Sequence, residues 1–104
     1  MTMHIPRTNV VITLRFRVKP AFVSRARVLA HDMVTASRTE DGCILYIMTE
    51  SREDESLFLL FTVWRDEEAY EKHSYSPYVR AFDNEISHEI LEKRHTVEKW
   101  HSLG

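Results

Sequence analysis

Val10, Ile12, Leu14, Phe16 and Val18 alternate with Val11, Thr13, Arg15 and Arg17, the two-residue period of a strand with one buried face. Lys19-Pro20 ends it. From Ala21 the spacing lengthens to Phe22, Ala26, Leu29, Met33 and Ser37, which predicts an amphipathic helix reaching about Thr39. Gly42 follows and suits a left-handed turn, which any side chain would make costly. Cys43 to Glu50 and Leu57 to Trp64, rich in β-branched and aromatic residues, read as two strands of a hairpin around the charged turn Ser51 to Ser56. Asp66 can cap a short helix through Glu67, Ala69, Tyr70 and His73, and Pro77 fits the first turn of another carrying Val79, Phe82 and Ile86. Ile90 to Trp100 has strand formers with charges on both faces, as expected of an edge strand or an extension reaching another subunit. Residues 1–9 show no period and read as a flexible N-terminal arm, leaving 10–104 as one domain.

The order strand, helix, strand, strand, helix, strand is the split βαβ of ferredoxin-like α+β folds, with an antiparallel sheet. Its helices suffice for one face only. Yet the second and third strands are apolar on both parities: Cys43, Leu45 and Ile47 against Ile44, Tyr46 and Met48, then Leu57, Leu59, Phe61 and Val63 against Phe58, Leu60 and Trp64. A strand apolar on both faces needs cover on both. The second cover expected here is the sheet of another copy, giving a homodimer.

Composition narrows the function classes. The chain has 104 residues, 43% hydrophobic and 29% charged, and a net charge of −2, which offers no field for nucleic acid or a membrane surface. The longest apolar run, Leu57 to Phe61, is far too short to span a bilayer, and the N-terminus lacks a basic stretch leading into an apolar signal core. The single cysteine, Cys43, fits a reducing compartment, so the expectation is a cytoplasmic protein. With two glycines, one of them terminal, no glycine-rich phosphate loop can form, and no cofactor is expected. His88, His95 and His101 match no standard ligand spacing, so no metal is expected either.

Candidate chemistry centres on three residues. Phe58, Leu60 and Trp64 share one parity of the third strand, and such stripes usually just pack. Their company sets them apart. Tyr46 lies on the paired strand and His73 two to three helical turns after Trp64, so an indole N–H, a phenol and an imidazole can line one apolar pocket. Phe82 can close it. The occupant expected there is a flat aromatic or small carbonyl compound, with His73 as the group able to move a proton near neutral pH. Cys43 opens a strand, without a basic neighbour that would activate it as a nucleophile.

Ser37-Arg38-x-Glu40-x-Gly42-Cys43-x-x-Tyr46, then Phe58 through Trp64-x-Asp66-x-x-Ala69-x-x-x-His73-x-x-Ser76-Pro77 and Phe82, resembles the antibiotic biosynthesis monooxygenase family over residues 10–100. The resemblance implies a dimeric ferredoxin-like α/β barrel and, in enzymatic members, oxygenation of quinols and polyketide aromatics in which the substrate supplies the electron. The polyketide branch pairs its third-strand tryptophan with an asparagine four residues earlier; here Trp64 is present and that position is Leu60. The haem-degrading branch uses an asparagine on the first strand and a tryptophan and histidine in the second helical region, and the places hold Thr13, His73 and Asp83. Trp64 with His73 is more similar to the quinol monooxygenases and to the isomerase that processes phosphorylated autoinducer-2. The expectation is therefore a cofactor-independent monooxygenase, with His73 and Trp64 catalytic and Tyr46, Phe58, Leu60 and Phe82 holding substrate. Two alternatives stand beside it. One is an isomerase of a small phosphorylated dicarbonyl, with Arg65 or Arg80 on the phosphate; the other is a non-catalytic dimeric module that binds a small molecule.

Overall fold

A computed structural model describes residues 8–92 and 96–103, the side chain of Glu89 excepted. Most of the proposed arm, residues 1–7, lies outside them, as does His95. The elements are β1 (Val10–Arg17), a single 3-10 turn (Pro20–Phe22), α1 (Val23–Ser37), β2 (Cys43–Glu50), β3 (Leu57–Trp64), α2 (Glu67–Ser74), α3 (Pro77–Glu85), a π turn (Ile86–Ile90) and β4 (Thr96–His101). The sheet runs β2-β3-β1-β4 with every pair antiparallel, the ferredoxin-like α+β arrangement.

Local chemistry explains most boundaries. Asp66 caps α2 by accepting a hydrogen bond of 2.8 Å from the Ala69 amide. Glu67 and Glu68 in the first turn, with Lys72 in the last, complement the helix dipole. Pro77 opens α3, where its missing N–H is no loss. The last strand starts later than its sequence suggests. Ile90 ends the π turn, Leu91 makes an isolated bridge to Val18, and among the described residues pairing with β1 runs from Thr96 to His101.

Register decides which side chains meet the helices. Ile12, Leu14 and Phe16 stand opposite Thr62, Leu60 and Phe58, with Tyr46 and Met48 alongside on β2. This face carries two clusters: Ile12, Tyr46, Leu60 and Trp64 pack with Met33, Ala69 and Val79, while Phe16, Val18 and Phe58 pack with Val23, Ala26, Ile86 and Ile90. A bulge at Ile44 puts Cys43 opposite Trp64 and Leu45 opposite Val63. Cys43 thereby joins the Trp64 cluster, and Ile44, read from the sequence as a regular strand position, is 49% exposed.

The other face carries Val11, Leu45, Ile47, Leu57, Leu59, Phe61 and Val63, with Trp100 beside Val11. Val11 and Val63 on this face are buried, whereas Ile47, Leu59 and Trp100 are 38%, 37% and 50% exposed, so part of its apolar surface faces outward.

Candidate active site

A cavity of about 110 Å³ lies between the sheet and the helices, lined by Tyr46, Leu60, Trp64, His73 and Phe82 together with Met33, Thr62 and Asp83. Trp64 is fully buried and His73 is 7% exposed. Their ring centroids are 4.3 Å apart at an interplanar angle of 34°, and Tyr46 meets both edge-on at 6.3 Å and 5.8 Å. Tyr46 is held from behind: Arg38 donates two hydrogen bonds, of 2.9 Å and 3.2 Å, to its carbonyl oxygen. The indole N–H is not offered to a ligand as the sequence suggests. It donates to Thr62 Oγ1 at 2.9 Å, and that hydroxyl is within 3.3 Å of the Ile12 carbonyl that it donates to. Trp64 thus gives the cavity an apolar ring.

His73 Nδ1 lies 2.7 Å from Glu40 Oε2, and the Tyr78 hydroxyl donates to the same oxygen while lying 3.4 Å from Nδ1. A carboxylate from the turn after α1 and a phenol from α3 therefore converge on an imidazole from α2. Burial, then the hydrogen bond to Glu40, pushes the Tyr78 phenol up to about 12. Burial also raises Tyr46, and the charges of Tyr78 and Asp83 add to the shift. Both phenols stay protonated at neutral pH, and Tyr78 serves as a donor to Glu40. Ser37 Oγ is buried beside them without a hydrogen bond of ordinary geometry, although it is near enough to temper both shifts.

Of the residues singled out from the sequence, Tyr46, Leu60, Trp64, His73 and Phe82 line one cavity, and Phe58 does not. Phe58 shares their face but belongs to the second cluster, 5.3 Å from the ring of Phe16, and borders a separate groove along the β2 edge. Sequence reasoning missed the roles of Glu40, Tyr78 and Thr62. Glu40 stood inside the quoted motif, but its partner lies 33 residues away. Arg65 and Arg80 are outside the lining: Arg65 pairs with Asp41 and Asp66, and Arg80 sits over the exposed Tyr75 ring. The Cys43 thiol is raised by burial and then by the Glu40 charge, against thiolate chemistry. Among the described residues, no three His, Cys, Asp or Glu side chains gather as metal ligands, and no helix is long and apolar enough to cross a membrane.

A second space of about 290 Å³, a groove between α1 and α3, shares Met33 and Phe82 with the cavity.

The model of the family described as antibiotic biosynthesis monooxygenase matches residues 9–85. The protein named "Putative monooxygenase Rv0793" of Mycobacterium tuberculosis is 36% identical over 69 residues, 66% of this chain and 67% of its own. The solved structure of Rv0793 superposes with a TM-score of 0.85 at 28% identity, covering 92% of this chain and 96% of that one. A Synechocystis protein named "Uncharacterized protein sll1783" is 33% identical over 73 residues, 70% of this chain, and the match spans only 50% of that longer protein. PA3566 of Pseudomonas aeruginosa superposes with a TM-score of 0.86, covering 97% of this chain and all of that one, and at 22% identity it speaks to fold alone. Fold, matched segment and relatives agree, and the chain belongs to the antibiotic biosynthesis monooxygenase family.

Proposed function

We propose that the protein is a monooxygenase acting on a small hydroxyarene or quinol, which it binds between Trp64, Tyr46 and His73. The observation that carries this reading is one apolar cavity in which a buried imidazole stacks on a buried indole at 4.3 Å. Leu60 and Phe82 complete an apolar wall that suits a flat ring. His73 accepts the hydroxyl proton, leaving an electron-rich phenolate. Dioxygen then oxidises that ring directly: in a hydroxyarene the carbon para to the hydroxyl loses its hydrogen and gains one oxygen as a carbonyl. The second oxygen leaves as water with that hydrogen and the hydroxyl proton, so a hydroxyarene and dioxygen give a quinone and water. In a quinol a ring carbon beside a hydroxyl exchanges its hydrogen for a hydroxyl oxygen, giving a hydroxyquinone and water. The electrons come from the ring. A second copy of the chain covers the open face of the sheet.

The isomerase alternative called for an arginine on a phosphate, and neither Arg65 nor Arg80 lines the cavity. Oxygen uptake with a panel of hydroxyarenes and quinols, followed by mass spectrometry with labelled dioxygen, tests the proposal. Label in the product and loss of uptake in His73→Ala are expected. Turnover under nitrogen, or a ligand bound and left unchanged in air, would overturn it in favour of an isomerase or a binding module respectively.

A further inference from the structure

We propose that Glu40 is the positioning residue of this site: it fixes the neutral His73 ring as the tautomer protonated at Nδ1, so that Nε2 is the base. The inference rests on the reading of His73 as proton acceptor and assigns the atom that accepts.

The geometry leaves little choice. A carboxylate is an acceptor only, so two lone pairs would face each other across 2.7 Å unless a proton lies between Glu40 Oε2 and His73 Nδ1. In an ionised Glu40 that proton belongs to the imidazole. Tyr78 donates to the same carboxylate oxygen and thereby occupies its hydroxyl hydrogen, which would otherwise be free to reach Nδ1. Among the described residues Nε2 makes no hydrogen bond, and His73 contributes to the cavity lining.

The remaining titratable groups around the ring fit this assignment. Tyr46 from β2, Tyr70 from α2 and Asp83 from α3 line the cavity with it, and Cys43 lies at the start of β2. Glu40 and Tyr78 are the groups seen within hydrogen-bond distance of Nδ1 among the described residues. When a substrate hydroxyl meets Nε2, its O–H bond breaks and an N–H bond forms, leaving an oxyanion and an imidazolium. The Glu40 carboxylate then lies directly on the positive ring, favouring the charged product of the transfer. Glu40 is itself 22% exposed, so this pair also joins the buried ring to solvent.

The test needs no substrate. Long-range proton–nitrogen NMR on the whole protein with labelled histidine reports which ring nitrogen carries the proton, read at the alkaline end of a titration where the ring is neutral. Wild type is expected to show His73 protonated at Nδ1, and Glu40→Leu to move the proton predominantly to Nε2. Glu40→Gln, which keeps an acceptor oxygen, and Tyr78→Phe are expected to retain Nδ1–H. An Nε2–H signal in wild type, or Nδ1–H persisting in a folded Glu40→Leu, would overturn the assignment. The wild-type spectrum decides the matter even where the leucine variant does not fold. A wild type with the expected tautomer but no oxygen uptake would sink the monooxygenase reading and leave this one standing.

Discussion

Gly42 packs so closely on Ala69 that a Cβ at position 42 would lie 2.2 Å from the Ala69 methyl. The glycine is needed for this approach, since its backbone is not in the left-handed region that the sequence suggested. The contact bears on the site because Glu40 lies two residues before Gly42 and His73 one turn after Ala69. Gly42→Ala is expected to push the turn off α2, costing about 1–3 kcal/mol and weakening the hold of Glu40 on His73. Ala69→Gly alone costs about 1 kcal/mol, but in the Gly42→Ala background it should restore stability. Urea unfolding of the four proteins checks this, and additive effects would contradict it.

Phe82 lines both the cavity of about 110 Å³ and the groove of about 290 Å³. An apolar cavity of about 150 Å³ accommodates benzene, so the cavity is tight even for a single ring. Phe82→Ala should join the two spaces and raise affinity for 1-naphthol relative to phenol by roughly tenfold. Calorimetric titration of both ligands into both proteins measures the ratio, and an unchanged ratio would place the boundary elsewhere.

Asp54 supplies a pH signature far from the site. The Ser56 hydroxyl, then Arg17 and the Ser56 amide, hold its carboxyl down to about 2. Because the folded value lies below the ordinary value near 3.9, the stabilisation is present at neutral pH and is lost as pH falls from about 4 toward about 2. Asp54→Asn should therefore be less stable than wild type at pH 6, with the gap closing as the pH is lowered. Urea midpoints across that range check it. A gap that widens in acid would contradict the assignment.

Much of this architecture was legible in the chain. β2 and β3 occupy Cys43–Glu50 and Leu57–Trp64 as their composition indicates, Asp66 caps α2, and Pro77 opens α3. These are local signals, and local chemistry sets them. Parity assigned Phe58 to the correct face but not to a place along it: six strand residues span roughly 20 Å, which carries Phe58 into the other cluster. The bulge at Ile44 resets parity within one strand, and no single residue announces it. Glu40 and Tyr78 meet His73 only after three elements have packed, so sequence spacing could not expose their roles.

Ile47 and Leu59 remain more than a third exposed on the face opposite the helices. If a second copy covers that face, wild type sediments as a dimer at micromolar concentration, and an Ile47→Glu, Leu59→Lys double variant sediments as a folded monomer. Circular dichroism should be unchanged, since exposed substitutions usually alter stability by only about 0.5 kcal/mol each. A monomeric wild type would contradict the shared interface.

In the proposed reaction His73 takes the proton of a ring hydroxyl beside Trp64. An anaerobic ultraviolet difference spectrum of bound phenol, a single ring, reads that proton directly, because the phenolate band lies to the red of the neutral one. Wild type is predicted to show the phenolate band at neutral pH, and His73→Gln to bind the ligand in its neutral form. A neutral spectrum in wild type, or a phenolate band that survives the loss of His73, would contradict the account.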